Sequence, residues 1–203
     1  EKHDLHDVIL VGHSFGGAVA LLTCMRMPAS SKSRISRMVL MGAASFKQRL
    51  PEFIRLLRIP LLNRILLALL PTDIIMKMVL NKAFYDDTKI TGEMVETYAG
   101  YLELPGACHA LITTAKQLVP EDVEAITARY SDIKIPVLLI WGKNDEIVPL
   151  EMGKHLESAL PNAELHVIEH CGHIPQEERP EETSQILLNF LAPHTNRWVN
   201  NCL

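Results

Sequence analysis

Apolar positions fall along the chain in two rhythms, short unbroken runs and helical stripes, and a long central stretch keeps only the second. Val8 to Val11 is a short apolar run closed by Gly12. Gly16 to Met27 then carries Ala18, Leu21 or Leu22, and Met25 at helical spacing, with Pro28 as its stop. Ile35 to Met41 reads as a second strand. Pro136 to Trp141 (PVLLIW) is a continuous apolar run of the kind buried on both faces of a parallel sheet. Leu150 to Leu160 reads as a helix, Glu164 to Ile168 as a fourth strand, and Pro180 to Leu191 as a last helix with Ile186, Leu187 and Phe190 on one side. Strands alternating with helices predict an α/β fold: a mostly parallel open sheet with crossover helices.

Between residues 46 and 131 the alternation stops and helical spacing takes over. Helices are predicted over Glu52 to Ile59, Leu61 to Leu70, Asp73 to Asn81, Thr91 to Glu103 and Ala107 to Leu118. The helix over 61–70 is apolar nearly all round, broken only by Asn63 and Arg64, which predicts burial on more than one side or a face toward a ligand. The expected organisation is a core over 1–45, an inserted helical cap over 46–131, the rest of the core over 132–192, and a tail over 193–203.

A chain of 203 residues with 48% hydrophobic and 22% charged positions has room for one packed core with a small subdomain. The net charge of −4 offers no general positive field, so nucleic acid is not an expected partner. No apolar run approaches the roughly 20 residues of a membrane span. Cys24, Cys108, Cys171 and Cys202 show no CxxC spacing, so no metal site and no disulfide framework is expected, and a reducing, cytoplasmic setting fits. Charge is unevenly spread. From Arg26 to Arg64 nine bases face one acid, while from Asp145 to Leu187 ten acids face two bases, so the two ends carry opposite fields. Solvated faces account for this; docking of an anionic substrate or lipid surface by the basic stretch is the alternative.

Gly12-His13-Ser14-Phe15-Gly16 matches G-x-S-x-G between an apolar strand and a helix, the context its chemistry requires. A sharp strand-to-helix turn pushes the Ser14 hydroxyl above the sheet, small neighbours let strand and helix approach, and the Phe15 amide at the helix start is placed to hold an oxyanion. A serine hydroxyl needs a base, and the base needs a carboxylate to orient it. Asp145, in Trp141-Gly142-Lys143-Asn144-Asp145, leaves its strand at the edge that presents Ser14, with Glu146 as competitor. His173, in His170-Cys171-Gly172-His173, follows the next strand at the same edge. His170 and His166 compete, the latter expected to be fixed within its strand. Cys171, two residues from the proposed base, is either a thiol that makes activity reagent-sensitive or a buried filler.

GHSFGG, WGKNDEIVP and GHIPQEERPEE together resemble the α/β-hydrolase superfamily, in the capped serine-hydrolase branch shared by carboxylesterases, haloperoxidase-like enzymes and carbon–carbon hydrolases. The resemblance spans about Asp4 to Leu191. It implies Ser14 as nucleophile, Asp145 as orienting acid, His173 as base, Phe15 N–H as one oxyanion donor, and no cofactor. The expected substrate is a small-molecule ester or a ketone cleaved at the adjacent carbon–carbon bond, through an acyl-enzyme. A non-catalytic ligand binder of the same fold, or an inactive fragment, stands beside that reading.

The family places several strands and a second oxyanion donor before the elbow, whereas thirteen residues precede Ser14 here. The expectation is therefore a fold lacking its N-terminal part, the carboxyl-terminal portion of a longer hydrolase or a truncated relative. Its first strand would be an exposed sheet edge prone to self-association. Loss of one oxyanion donor costs about 10² to 10³ in rate, so weak activity is expected of this chain alone.

Overall fold

A computed structural model describes residues 4–27 and 34–192. Pro28, Cys202 and the 193–203 tail lie outside the described residues. Four strands form one parallel sheet in the order β1 (Val8–His13), β2 (Ile35–Met41), β3 (Val137–Gly142) and β4 (Ala163–Ile168). Helix α1 (Phe15–Arg26) crosses from β1 to β2, and α8 (Leu150–Ala159) from β3 to β4. The short α9 (Pro175–Glu178) and α10 (Pro180–Leu191) follow β4. The α/β reading of a parallel sheet with crossover helices therefore holds.

The two-residue period of the strands sorts the core into two layers. Met38, Leu40, Val137, Leu139 and Trp141 pack against α1 and α8, while Val39, Met41, Leu138 and Ile140 pack against Ile186, Leu187 and Phe190 of α10. With both faces covered, every residue of β3 is buried. Trp141 is wholly enclosed. Its indole N–H donates to the Val148 carbonyl at 2.8 Å, and its ring lies against Gly153, where a Cβ would stand 2.8 Å away.

One sequence expectation about the core needs correction. The buried stripe of α1 is Gly17, Ala20, Leu21, Cys24 and Met25, while Ala18 and Leu22 turn toward a cavity. Several apolar residues share this helix, so spacing alone did not single out the face that meets the sheet. The expectation of the first strand as a sheet edge holds: among the described residues β1 pairs with β2 alone, and Ile9 and Val11 are exposed.

Between β2 and β3 lie α2 (Glu52–Leu57), α3 (Leu62–Leu69), α4 (Thr72–Ala83), α5 (Gly92–Glu103), α6 (Ala107–Gln117) and α7 (Val123–Thr127), with 3₁₀ turns at Asp87–Lys89 and Tyr130–Asp132. Thr91 caps α5, its hydroxyl accepting from the Met94 amide at 3.1 Å. Helix α7 was not expected from the sequence; five residues are too few for a period to register. Helix α3 reverses its expectation. Leu61 and Leu69 are 70% and 75% exposed, whereas Asn63 is 2% exposed and donates to the Leu57 carbonyl at 2.8 Å. The polar side chain faces inward because it satisfies a carbonyl left at the end of α2. The helix is not buried on several sides, and it does not line the cavity that Ala18 and Leu22 face.

Candidate active site

All four strands deliver a loop to the same carboxyl edge of the sheet, and the chemistry-bearing residues sit on those loops. Ser14, directly after β1, has φ 52° and ψ −120°. A non-glycine residue there costs on the order of 1–3 kcal/mol and persists only when its surroundings hold it. The Ser14 amide donates to the Met41 carbonyl at 2.9 Å, and its own carbonyl accepts from the Gly17 and Ala44 amides, both at 3.0 Å. A Cβ on Gly12 would stand 2.5 Å from the Gly16 carbonyl, and one on Gly17 would overlap Ala43. The close approach therefore depends on Gly12 and Gly17. Gly16, although part of the motif, has nothing within 4 Å of its Cβ position. Phe15 is the first residue of α1, so its amide has no intrahelical acceptor.

Asp145 and His173 form a buried pair, with Asp145 Oδ2 2.7 Å from His173 Nδ1. The other Asp145 oxygen accepts from the Ile147 and Val148 amides at 2.9 and 2.8 Å, which fixes the carboxylate's orientation. With Nδ1–H donating to the carboxylate, Nε2 is the ring nitrogen left to take a proton. Gly42, with φ +48°, makes room for the pair. A Cβ there would lie 3.0 Å from His173 Nδ1 and 3.2 Å from Asp145 Oδ2.

The competing residues are elsewhere. Glu146 is exposed and ion-paired to Lys82 at 2.7 Å. His166 is exposed on β4, 3.8 Å from Glu164, rather than fixed within the strand. The exposed His170 ring lies 5.5 Å from Tyr85, while the His170 carbonyl accepts from Arg179. Cys171 is fully buried, and burial first, with Glu178 nearby second, pushes its thiol up to about 12. This is a protonated filler, not a reactive thiolate.

Two residues passed unnoticed in the sequence. His13, inside the motif itself, donates from Nε2 to the His173 carbonyl at 2.8 Å, with the two rings 4.8 Å apart. Burial outweighs that hydrogen bond and holds the His13 pKa below its ordinary value, which keeps the ring neutral. Glu178, completely buried, binds three backbone amides: Gly172 at 2.6 Å on one oxygen, Tyr85 at 3.0 Å and Asp86 at 2.8 Å on the other. The His173 amide in turn donates to the Ala83 carbonyl at 2.6 Å. The carboxyl end of α4 and the His173 loop are thus bolted together. Leu80, Ala83, Phe84 and Ile174 pack at the same junction. A glutamate five residues after a histidine in a motif-rich segment was the only signal available in advance.

Ser14, Phe15 and His173 line one cavity of about 520 Å³. Its walls, including Leu22, Phe46, Phe53, Ile54 and Val79, are mostly apolar, and Arg26 is the one Lys, Arg, Asp or Glu among the described lining residues. Tyr130, also in the wall, donates to the Ser45 carbonyl at 2.5 Å, and burial pushes its phenol up to about 12.

A four-stranded parallel sheet with a strained serine elbow at one end of a strand and a paired aspartate and histidine beyond the next ones defines a hydrolase architecture. The chain belongs to the Alpha/beta hydrolase family, whose model matches residues 1–186. It is 35% identical over 194 residues to a 2-hydroxy-6-oxononadienedioate/2-hydroxy-6-oxononatrienedioate hydrolase from Paraburkholderia phymatum, covering 90% of this chain and 62% of that protein. Among solved structures it resembles the 2-hydroxy-6-oxo-6-phenylhexa-2,4-dienoate hydrolase of a Rhodococcus species, with a TM-score of 0.70 and 27% identity over 90% of this chain and 63% of that one. An esterase from Exiguobacterium antarcticum shares the fold with a TM-score of 0.74 at 22% identity, over 93% of this chain and 68% of that one. The chain spans about three-fifths of the length of the Paraburkholderia and Rhodococcus hydrolases it resembles.

Proposed function

We propose that the protein is a serine hydrolase that cleaves esters of apolar acids through an acyl-enzyme, with Ser14 as nucleophile, His173 as general base and Asp145 as its orienting acid. One observation carries the reading: His173, paired with the buried Asp145 at 2.7 Å, lines the same apolar cavity as Ser14. As Ser14 Oγ attacks the substrate carbonyl carbon, its proton passes to His173 Nε2, and Asp145, remaining ionised, stabilises the imidazolium. The carbonyl oxygen gains the electron pair and rests against the Phe15 N–H. Collapse of that intermediate breaks the bond to the leaving group, which takes the proton from His173 and departs as an alcohol. Water then repeats the sequence on acyl-Ser14, releasing the acid. In this reading residues 46–131 act as a cap over a core made of 1–45 and 132–192.

The second reading is hydrolysis of a carbon–carbon bond beside a ketone, favoured by the activity for which the Paraburkholderia relative is named. An apolar wall with a single charged residue suits an aliphatic acyl group better than a dicarboxylate. A fluorophosphonate probe tests the common chemistry. Ser14 is expected to be labelled, Ser14→Ala to remove the label, and His173→Ala to slow labelling by about 10³ or more. An unlabelled protein whose cavity still binds a ligand is a binder, and the proposal fails.

A further inference from the structure

The helices between β2 and β3 present an unusual outer surface. A helix of a water-soluble protein turns its apolar stripe inward and its polar side outward, and α3 does the reverse. Leu61, Ile65 and Leu69 follow one another at four-residue intervals on an exposed stripe, while Asn63 is buried. The neighbouring segments continue the pattern. Leu56 and Ile59 are exposed at the end of α2, and Ile74 and Met78, again four apart, are exposed on α4. Single exposed apolar residues need no explanation, but a run of them over three successive helices does.

Charge accompanies the apolar surface. Arg55, Arg58, Arg64 and Lys77 are exposed within the same helices, against two exposed acids, Glu52 and Asp73. None of the four bases makes an ion pair among the described residues. An apolar stripe with uncompensated cations beside it is the composition of a segment that lies in an anionic lipid–water interface, apolar side chains in the acyl boundary and bases at the headgroups. No helix among the described residues is long and apolar enough to cross a membrane, so the contact is with the surface. The position is also suited to the cavity. The opposite side of α2 supplies Phe53 and Ile54 to the wall around Ser14, and α4 supplies Val79.

We infer that helices α2 to α4 dock the protein on anionic lipid surfaces through Leu61, Ile65 and Leu69 flanked by Arg58 and Arg64. If the serine-hydrolase reading above holds, the substrate class is an acyl ester dissolved in lipid, but the docking itself does not depend on that reading.

The test is co-sedimentation of the whole chain with vesicles of pure phosphatidylcholine and of phosphatidylcholine containing one-quarter phosphatidylglycerol. The protein is expected to bind the anionic vesicles at least tenfold more tightly than the neutral ones, and less tightly as salt is raised. Ile65→Glu with Leu69→Glu, and separately Arg58→Glu with Arg64→Glu, are each expected to weaken anionic binding by roughly tenfold or more, at about fivefold per basic residue lost. All four positions are exposed and outside the cavity, so thermal unfolding and fluorophosphonate labelling of Ser14 should match wild type. Absence of binding, equal binding to both vesicles, or wild-type binding by both variants overturns the inference. So does a concentration-dependent dimer that Ile65→Glu with Leu69→Glu dissociates, since the surface would then belong to a second copy. Vesicle binding by a protein whose Ser14 resists the probe would sink the hydrolase reading and leave the docking surface standing.

Discussion

Ser14 and His173 line one cavity, yet they are held there by different forces. Ser14 is half-buried and fixed through its backbone: a positive φ, three main-chain hydrogen bonds and the close contact of Gly12 with Gly16. His173 and Asp145 are buried and fixed through side chains, by two amides on Asp145, the pairing across 2.7 Å, His13 beneath the His173 carbonyl and Glu178 behind the loop. In the proposed roles, a nucleophile that needs only one sharp turn can be specified locally, whereas a base that must keep one tautomer and one orientation needs partners from several distant segments.

The largest effect expected from breaking that arrangement is in the proton-handling half. Asp145→Asn should lower the rate of Ser14 phosphonylation by about 10⁴ while leaving unfolding cooperative, because the amide reverses the donor–acceptor relation with His173 Nδ1. Next is Glu178→Gln, which places an NH₂ group against a backbone N–H. It should cost about 1–3 kcal/mol in denaturant unfolding and slow phosphonylation at least tenfold. A Glu178→Gln protein that labels at the wild-type rate would show that the bolt stabilises without positioning. Gly42→Ala combines a strained φ with a methyl group against the His173–Asp145 pair, and about 1–3 kcal/mol of destabilisation with slowed labelling is expected.

In the nucleophile half, Gly17→Ala should destabilise by about 1–3 kcal/mol, whereas Gly16→Ala, with open space at its Cβ, should stay within about 0.5 kcal/mol of wild type. The smallest effect concerns His13, whose folded pKa lies below the ordinary 6.5. Its contribution is fully present above pH 6.5, where the ring is neutral in both states, and is lost as pH falls through the lower folded value, because the unfolded chain takes up the proton first. His13→Gln, which keeps a donor for the His173 carbonyl, should flatten that part of the stability–pH curve, as read by urea unfolding between neutral and mildly acidic pH.

The sheet was legible in advance because its signals are local. Ile35 to Met41 and the PVLLIW run declare themselves by unbroken apolarity, and the G-x-S-x-G turn by its place between strand and helix. Which of several acids and histidines would meet was settled only through space: Asp145 and His173 lie 28 residues apart, and nothing local separates them from Glu146 or His170. The orientation of α3 was misread for a related reason. When almost every position is apolar, the period gives no direction, and one asparagine reaching the Leu57 carbonyl decided which side went in. Glu178 was invisible because its partners, Gly172, Tyr85 and Asp86, come from two segments that the sequence keeps far apart.

Because one carboxylate grips both the His173 loop and the end of α4, lifting that helix away from the core would drag the imidazole off its station. Under the proposed function, a chain sprung open at that junction would be disarmed, and water entering there would meet no competent base. Amide hydrogen exchange at Gly172 and Tyr85 should accordingly rise and fall together.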